Sequence, residues 1–168
     1  MRKNRGEKKR SMRPQISLSS LLIVLILFSV LSLAVMNFLD SSEYYTADVL
    51  EVEGSVVTIG HGCMAIVAET SPERAYSIEL GIKGVIEQRP NTHDIFSETM
   101  KSFNITLDHV TIDNHKDGIY YANLLLKSNE KILKLDVKPS DGIAMALRSN
   151  ATIYINKTML QEVGVNIC

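Results

Sequence analysis

Lys131-Ile132-Leu133-Lys134-Leu135-Asp136-Val137-Lys138-Pro139-Ser140-Asp141-Gly142-Ile143-Ala144-Met145-Ala146-Leu147-Arg148 decides the fold. Residues 131–137 alternate polar and apolar side chains, the period of a half-buried strand. At Pro139 the chemistry changes. Proline suits the first helical position, Ser140 offers a capping hydroxyl, and Asp141 complements the positive helix end. A helix over Gly142 to Ser149 should follow, then a short strand Thr152–Ile155 and a last short helix Lys157–Val163 ending at Gly164.

Upstream, Val110–Asp113 and Ile119–Leu126 read as strands joined by the turn Asn114–Gly118, and Ser128-Asn129 links the second to the strand at 131–137. Ser71-Pro72-Glu73 starts a helix with Ala75, Ile78, Ile82 and Val85 at core spacing, ending near Gly84. After the loop Arg89-Pro90-Asn91, Thr92 is expected to cap a second helix that turns Ile95, Phe96, Met100 and Phe103 inward. Earlier still, Tyr45–Val52, Val56–Ile59 and Cys63–Ala68 read as strands. Strands and helices mix without strict alternation. The expected class is α+β: a compact mixed or antiparallel sheet with three to four helices.

A different solvent governs the N-terminus. No charge falls between Arg13 and Asp40, and an α-helix needs about 20 apolar residues to cross a bilayer. Residues 1–13 carry seven basic side chains and one acidic one, which marks the cytoplasmic flank. This predicts a basic cytoplasmic tail (1–13), a transmembrane signal anchor (14–39), a connector (40–44) and one domain (45–168) of about 125 residues. The protein would be a single-pass cell-membrane protein with its C-terminal domain extracytoplasmic. Ser32 and Ala34 fit a signal-peptidase pattern, but the uncharged stretch exceeds the usual signal core and favours a retained anchor. Residues 14–168 hold 11 Lys plus Arg against 18 Asp plus Glu, which argues against strong sequence-independent nucleic-acid binding.

Outside the cytoplasm Cys63 and Cys168 can pair as a disulfide. Two unrelated thiols are the alternative reading. Asn104, Asn150 and Asn156 each open an Asn-x-Thr sequon, a candidate glycosylation site in an exported domain. No Cys-x-x-Cys, nucleophile-elbow or phosphate-loop motif occurs.

Several segments resemble the bifunctional nuclease (BFN) domain family: Arg89-Pro90-Asn91-Thr92-His93-Asp94, Lys116-Asp117-Gly118-Ile119-Tyr120-Tyr121-Ala122, and above all Asp136-Val137-Lys138-Pro139-Ser140-Asp141-Gly142-Ile143-Ala144-Met145-Ala146-Leu147-Arg148, followed by Thr152-Ile153-Tyr154-Ile155. The resemblance covers about Val49 to Val165. Family members usually carry Arg where Lys138 stands and a small residue such as Ala at Gly142. The resemblance implies a compact α+β domain, assembly as a homo-oligomer, and cleavage of DNA and RNA.

Phosphodiester hydrolysis needs a positioned water and stabilised phosphoryl charge, most often through a metal ion held by carboxylates. On that chemistry the candidate catalytic residues are His93, Asp94, Asp136 and Asp141. Arg89, Lys138, Ser140 and Arg148 are the candidate substrate-binding residues. Asp94 and Asp141 are the candidate ligands for Mg or Mn. A shared site would bring Arg89, His93, Asp136 and Asp141 into one cleft. The competing reading makes Asp94 and Asp141 helix-start acids, and has Arg89 or Arg148 paired with Asp136 or Asp141. The two functions carried forward are a membrane-anchored, metal-dependent nuclease and a non-catalytic oligomeric binding module at the cell surface.

Overall fold

The computed structural model describes residues 43–168. Along the chain run β1 (Tyr44–Glu53), β2 (Val56–His61), β3 (Met64–Glu69), α1 (Pro72–Lys83), α2 (Thr92–Ser102), β4 (Thr106–Lys116), β5 (Ile119–Lys127), β6 (Ile132–Val137), α3 (Pro139–Ser149), β7 (Thr152–Asn156), α4 (Lys157–Val163) and β8 (Val165–Asn166). This is a mixed α+β fold. The expected basic tail and membrane anchor lie outside the described residues. Among the described residues no helix is long and apolar enough to cross a membrane.

One eight-stranded sheet holds the order β6-β5-β4-β7-β1-β2-β3-β8. Every pairing is antiparallel except β4 with β7, which the intervening α3 makes possible. β1 serves two neighbours. Tyr44–Ala47 pairs with β7, and Asp48–Glu53 pairs with β2 past an irregularity between Val49 and Glu51. The strand begins at Tyr44, one residue earlier than expected. The β4–β5 turn is also tighter: β4 continues through Lys116, and only Asp117 and Gly118 turn, with φ of 53° and 77°. Both values lie in the left-handed region that an Asp-Gly hairpin turn requires.

α3 packs on β4 and β5 and against α1 and α2. Its Ile143, Ala144, Met145 and Ala146 are buried over Val110, Ile112, Ala122 and Leu124. Gly142 lets the first turn settle close to the sheet. A Cβ there would stand 3.0 Å from Val110 Cγ1 and 3.4 Å from Val137 Cγ2. α1 buries Ala75, Ser77, Ile78 and Leu80, but Ile82 and Val85 are exposed, contrary to the apolar spacing. The helix contact ends at Gly81, where a Cβ would lie 3.0 Å from Leu147 Cβ, so Ile82 already turns outward. On α2, Met100 is buried while Ile95 and Phe103 face solvent.

At the far edge, β8 pairs with β3 through Met64↔Asn166 and Ala65↔Val165. That register sets Cys168 beside the β2–β3 loop, where it is disulfide-bonded to Cys63 with Cα atoms 5.3 Å apart. Asn104 and Asn150 are exposed at the C-terminal ends of α2 and α3, both with left-handed φ. Asn156 instead caps α4, its side chain accepting from the Met159 N–H at 3.0 Å. Residues 43–168 form one unit with its own core and its own complete sheet.

Candidate active site

The starts of α1, α2 and α3 converge on one polar cluster. Asn91, not Thr92, caps α2. Its side-chain oxygen accepts from the N–H groups of His93 (2.9 Å) and Asp94 (3.1 Å), and Asp94 Oδ2 accepts from the Asn91 N–H (2.9 Å). This reciprocal cap needs an acid three residues after the cap. Asn91 has Asp94 there, whereas Thr92 would have Ile95.

The other oxygen of Asp94 accepts from Arg148 Nε at 2.6 Å, in a pair whose side chains are 3% and 8% exposed. Arg148 also donates to the carbonyls of Ser77 (3.0 Å) and Ala144 (2.9 Å) and to Ser77 Oγ (3.1 Å). One guanidinium thus ties α1, α2 and α3 together. Arg148 pairs with Asp94 rather than with Asp136 or Asp141. Burial opposes the Asp94 charge, but the Arg148 and Asn91 hydrogen bonds outweigh it and hold the carboxyl below the usual range. The pair reads as a structural clamp, with its donors and acceptors spent inside the protein.

Ser77 sits at the hinge of this network, 5% exposed. Its Oγ accepts from Arg148 and from Asn91 Nδ2 (3.4 Å), so its own hydrogen is free for His93 Nδ1 at 2.9 Å. That assigns the imidazole proton to Nε2, which lies 3.5 Å from Asp141 Oδ1. A serine–histidine–aspartate line results, but it is not an acyl-transfer triad. The serine is buried and already accepts two hydrogen bonds, and it meets Nδ1 rather than Nε2. Burial lowers the His93 pKa, the Asp141 carboxylate pulls it up, and nearby Arg148 lowers it again. The net shift is downward.

Asp141 completes the cluster. Its Oδ1 meets Arg74 Nε at 3.2 Å, and these two side chains, 35% and 33% exposed, form the part that reaches solvent. The other expected residues lie elsewhere. Asp136 is on the opposite face of the sheet. It stands beside Asn123, between Leu135 and Val137, which register with the buried Leu124 and Ala122. The same alternation that identified the strand turns this acid away. Arg89 is exposed in the loop before Asn91. Lys138 is the exposed N-cap of α3, and the expected Ser140 cap is absent, since no side chain caps this helix. Of the four residues a shared cleft required, only His93 and Asp141 meet. Arg74, Ser77 and Asn91 join them without having been singled out. The i, i+3 spacing of Arg74 and Ser77 was a weak signal that the apolar stripe of α1 masked.

For a divalent cation, Asp141 is the acid that fits. Magnesium is satisfied by one or two carboxylates with waters and substrate oxygens, and Asp141 alone meets the lower limit, since both His93 ring nitrogens are engaged with Ser77 and Asp141. Asp94 is committed to Arg148. Among the described residues no group of three or more His, Cys, Asp or Glu side chains converges.

The network makes stability depend on pH in two windows. An unfolded histidine titrates near 6.5. With its folded pKa below that value, the unfolded chain binds more protons in between, so stability falls as pH drops through about 6.5 and levels off below the folded pKa. Thermal melts at pH 7.5 and 5.5 should show a drop that His93→Gln reduces. The Asp94 contribution is present above the unfolded carboxyl value of about 3.9 and is lost only as pH falls through the lower folded one.

The family model described as the bifunctional nuclease domain matches residues 63–167. Two curated proteins of Mycobacterium tuberculosis are similar to the chain. They are the uncharacterized protein MT1877 of strain CDC 1551 / Oshkosh and the uncharacterized protein Rv1829 of strain ATCC 25618 / H37Rv. Each is 33% identical over 93 residues, 55% of this chain and 55% of the relative. The chain therefore spans about half the length of the curated relatives it matches.

Proposed function

The chain belongs to the bifunctional nuclease domain family, and on that premise we propose that its folded domain hydrolyses nucleic-acid phosphodiesters at the Arg74–His93–Asp141 cluster. One observation carries this reading: a solvent-reaching carboxylate held between a guanidinium at 3.2 Å and a neutral imidazole at 3.5 Å. Asp141 accepts a hydrogen bond from water and takes its proton as the water oxygen attacks phosphorus. Arg74 moves its remaining donors onto the phosphoryl oxygens, where charge builds up. His93 donates through Nε2–H to Asp141 and keeps the carboxylate aimed. The phosphorus–oxygen bond to the leaving sugar breaks, and that oxygen is protonated from solvent. A magnesium or manganese ion at Asp141 would supply Lewis acidity and offset the repulsion between this acid and phosphate.

Residues 43–168 incubated with single-stranded DNA and RNA, in magnesium or manganese and then in EDTA, test the reading. Cleavage that EDTA suppresses supports it. Absence of cleavage with either ion favours the second reading, a non-catalytic oligomeric module. That reading is favoured by Asp94 and Arg148, motif residues whose polar atoms are satisfied within the fold. Under either reading we propose that residues 14–39 anchor the protein in the cell membrane with the folded domain outside the cytoplasm. Protease added to intact cells should then remove that domain.

A further inference from the structure

A pocket lies beside the cluster and shares Arg74 with it. β2, β3, α1, α3 and the β4–β5 turn enclose a cavity of about 340 Å³. Its floor is aliphatic: Val57, Ile59, Ile66, Ile78, Ile112 and Ile143. Its rim carries two cations, Arg74 and Lys138, together with the uncapped start of α3 at Ser140. The acid on the rim, Glu69, is engaged by Ser55 Oγ at 3.2 Å.

We propose that this cavity binds an anionic amphiphile, with an alkyl tail on the aliphatic floor and a phosphate or carboxylate head between Lys138 and Arg74. The volume falls within the range of small-molecule sites, which are mostly apolar with a few convergent polar groups. An alkyl chain suits the floor better than a nucleobase. The polar edges of a base would go unsatisfied against isoleucine and valine. Bases also stack on aromatic rings, and Tyr120 is the single aromatic residue lining the cavity. The head belongs at the rim, because Lys138 is exposed and makes no ion pair among the described residues. A head there also competes with Asp141 for Arg74, which would couple occupancy to the neighbouring cluster.

Calorimetric titration of residues 43–168, disulfide intact, tests binding without reference to cleavage. The ligand is n-decyl phosphate below its micelle concentration, with inorganic phosphate and decanol as the two halves. Saturable one-to-one binding of decyl phosphate is expected, with each half weaker by about tenfold or more. Ala68 also lines the cavity, and Ala68→Phe, which fills it, should abolish binding. The surface change Lys138→Glu should weaken it by about tenfold or more and serves alone if Ala68→Phe does not fold. Phosphatidylglycerol vesicles separate the sources. Vesicle binding displaced by decyl phosphate supports a lipid ligand, and decyl phosphate binding without vesicle binding supports a free amphiphile. The proposal is overturned by no saturable binding, by wild-type affinity in a folded Ala68→Phe or in Lys138→Glu, or by vesicle binding that decyl phosphate does not displace.

Discussion

Replacing Arg148 with methionine is expected to destabilise the domain by about 3–5 kcal/mol, a fall of roughly 10–20 °C in melting temperature. The cost comes from what is left behind. Asp94 would keep a carboxylate that is 3% exposed with no cation beside it, and the Ser77 and Ala144 carbonyls would each lose a donor. Arg148→Lys should recover only part of the loss, because an ammonium cannot span the four acceptors that the planar fork reaches. The double change Asp94→Asn with Arg148→Met should cost less than the sum of the two single changes, since each alone strands a partner. Urea denaturation of the four proteins measures this coupling. If Arg148 instead served mainly to hold substrate, Arg148→Met would leave the melting temperature in place and change only binding.

The second large effect is at the other edge of the sheet. Changing both Cys63 and Cys168 to serine should lower stability by about 4–5 kcal/mol, the loop-closure entropy for a separation of 105 residues. Local loosening should accompany the global loss. β8 holds to β3 by a short register, with one further bond from the Ile167 N–H to the Cys63 carbonyl at 2.9 Å. Without the covalent link the last residues should fray first, as termini do when not tied down. Calorimetry of the oxidised and reduced protein gives the global term, and hydrogen exchange at Val165–Ile167 gives the local one. Equal melting temperatures in the two states would show that this link contributes little to the fold.

Local chemistry made most of the elements legible. Alternation identified β6, Pro139 marked the turn into α3, and the turn residues within Asn114–Gly118 located a hairpin. What the pattern could not supply was neighbourhood. Asp136 reads as one more acid near a helix start, yet strand periodicity places it on the face opposite His93. Asn91 and Thr92 are both good caps, and the choice depended on which of them has an acid three residues on. Arg148 found Asp94 rather than a nearer acid because α2 and α3, distant in sequence, lie together on the sheet. Ser77 was the hardest to see. A small polar residue in an apolar stripe carries only a weak signal, its spacing from Arg74, until its partners are known. The cysteine pair left two readings open for the same reason, since it depends on the register of β8, the shortest strand.

Under the proposed function the two helix-start acids do different work: Asp94 builds the fold and Asp141 would do the chemistry. Cleavage of single-stranded DNA and RNA by Asp141→Asn and by Asp94→Asn, each alongside its melting temperature, tests that division most directly. The account predicts that Asp141→Asn melts close to wild type and cleaves about 100-fold more slowly or less, while Asp94→Asn loses stability first. Full cleavage by a folded Asp141→Asn protein would contradict it.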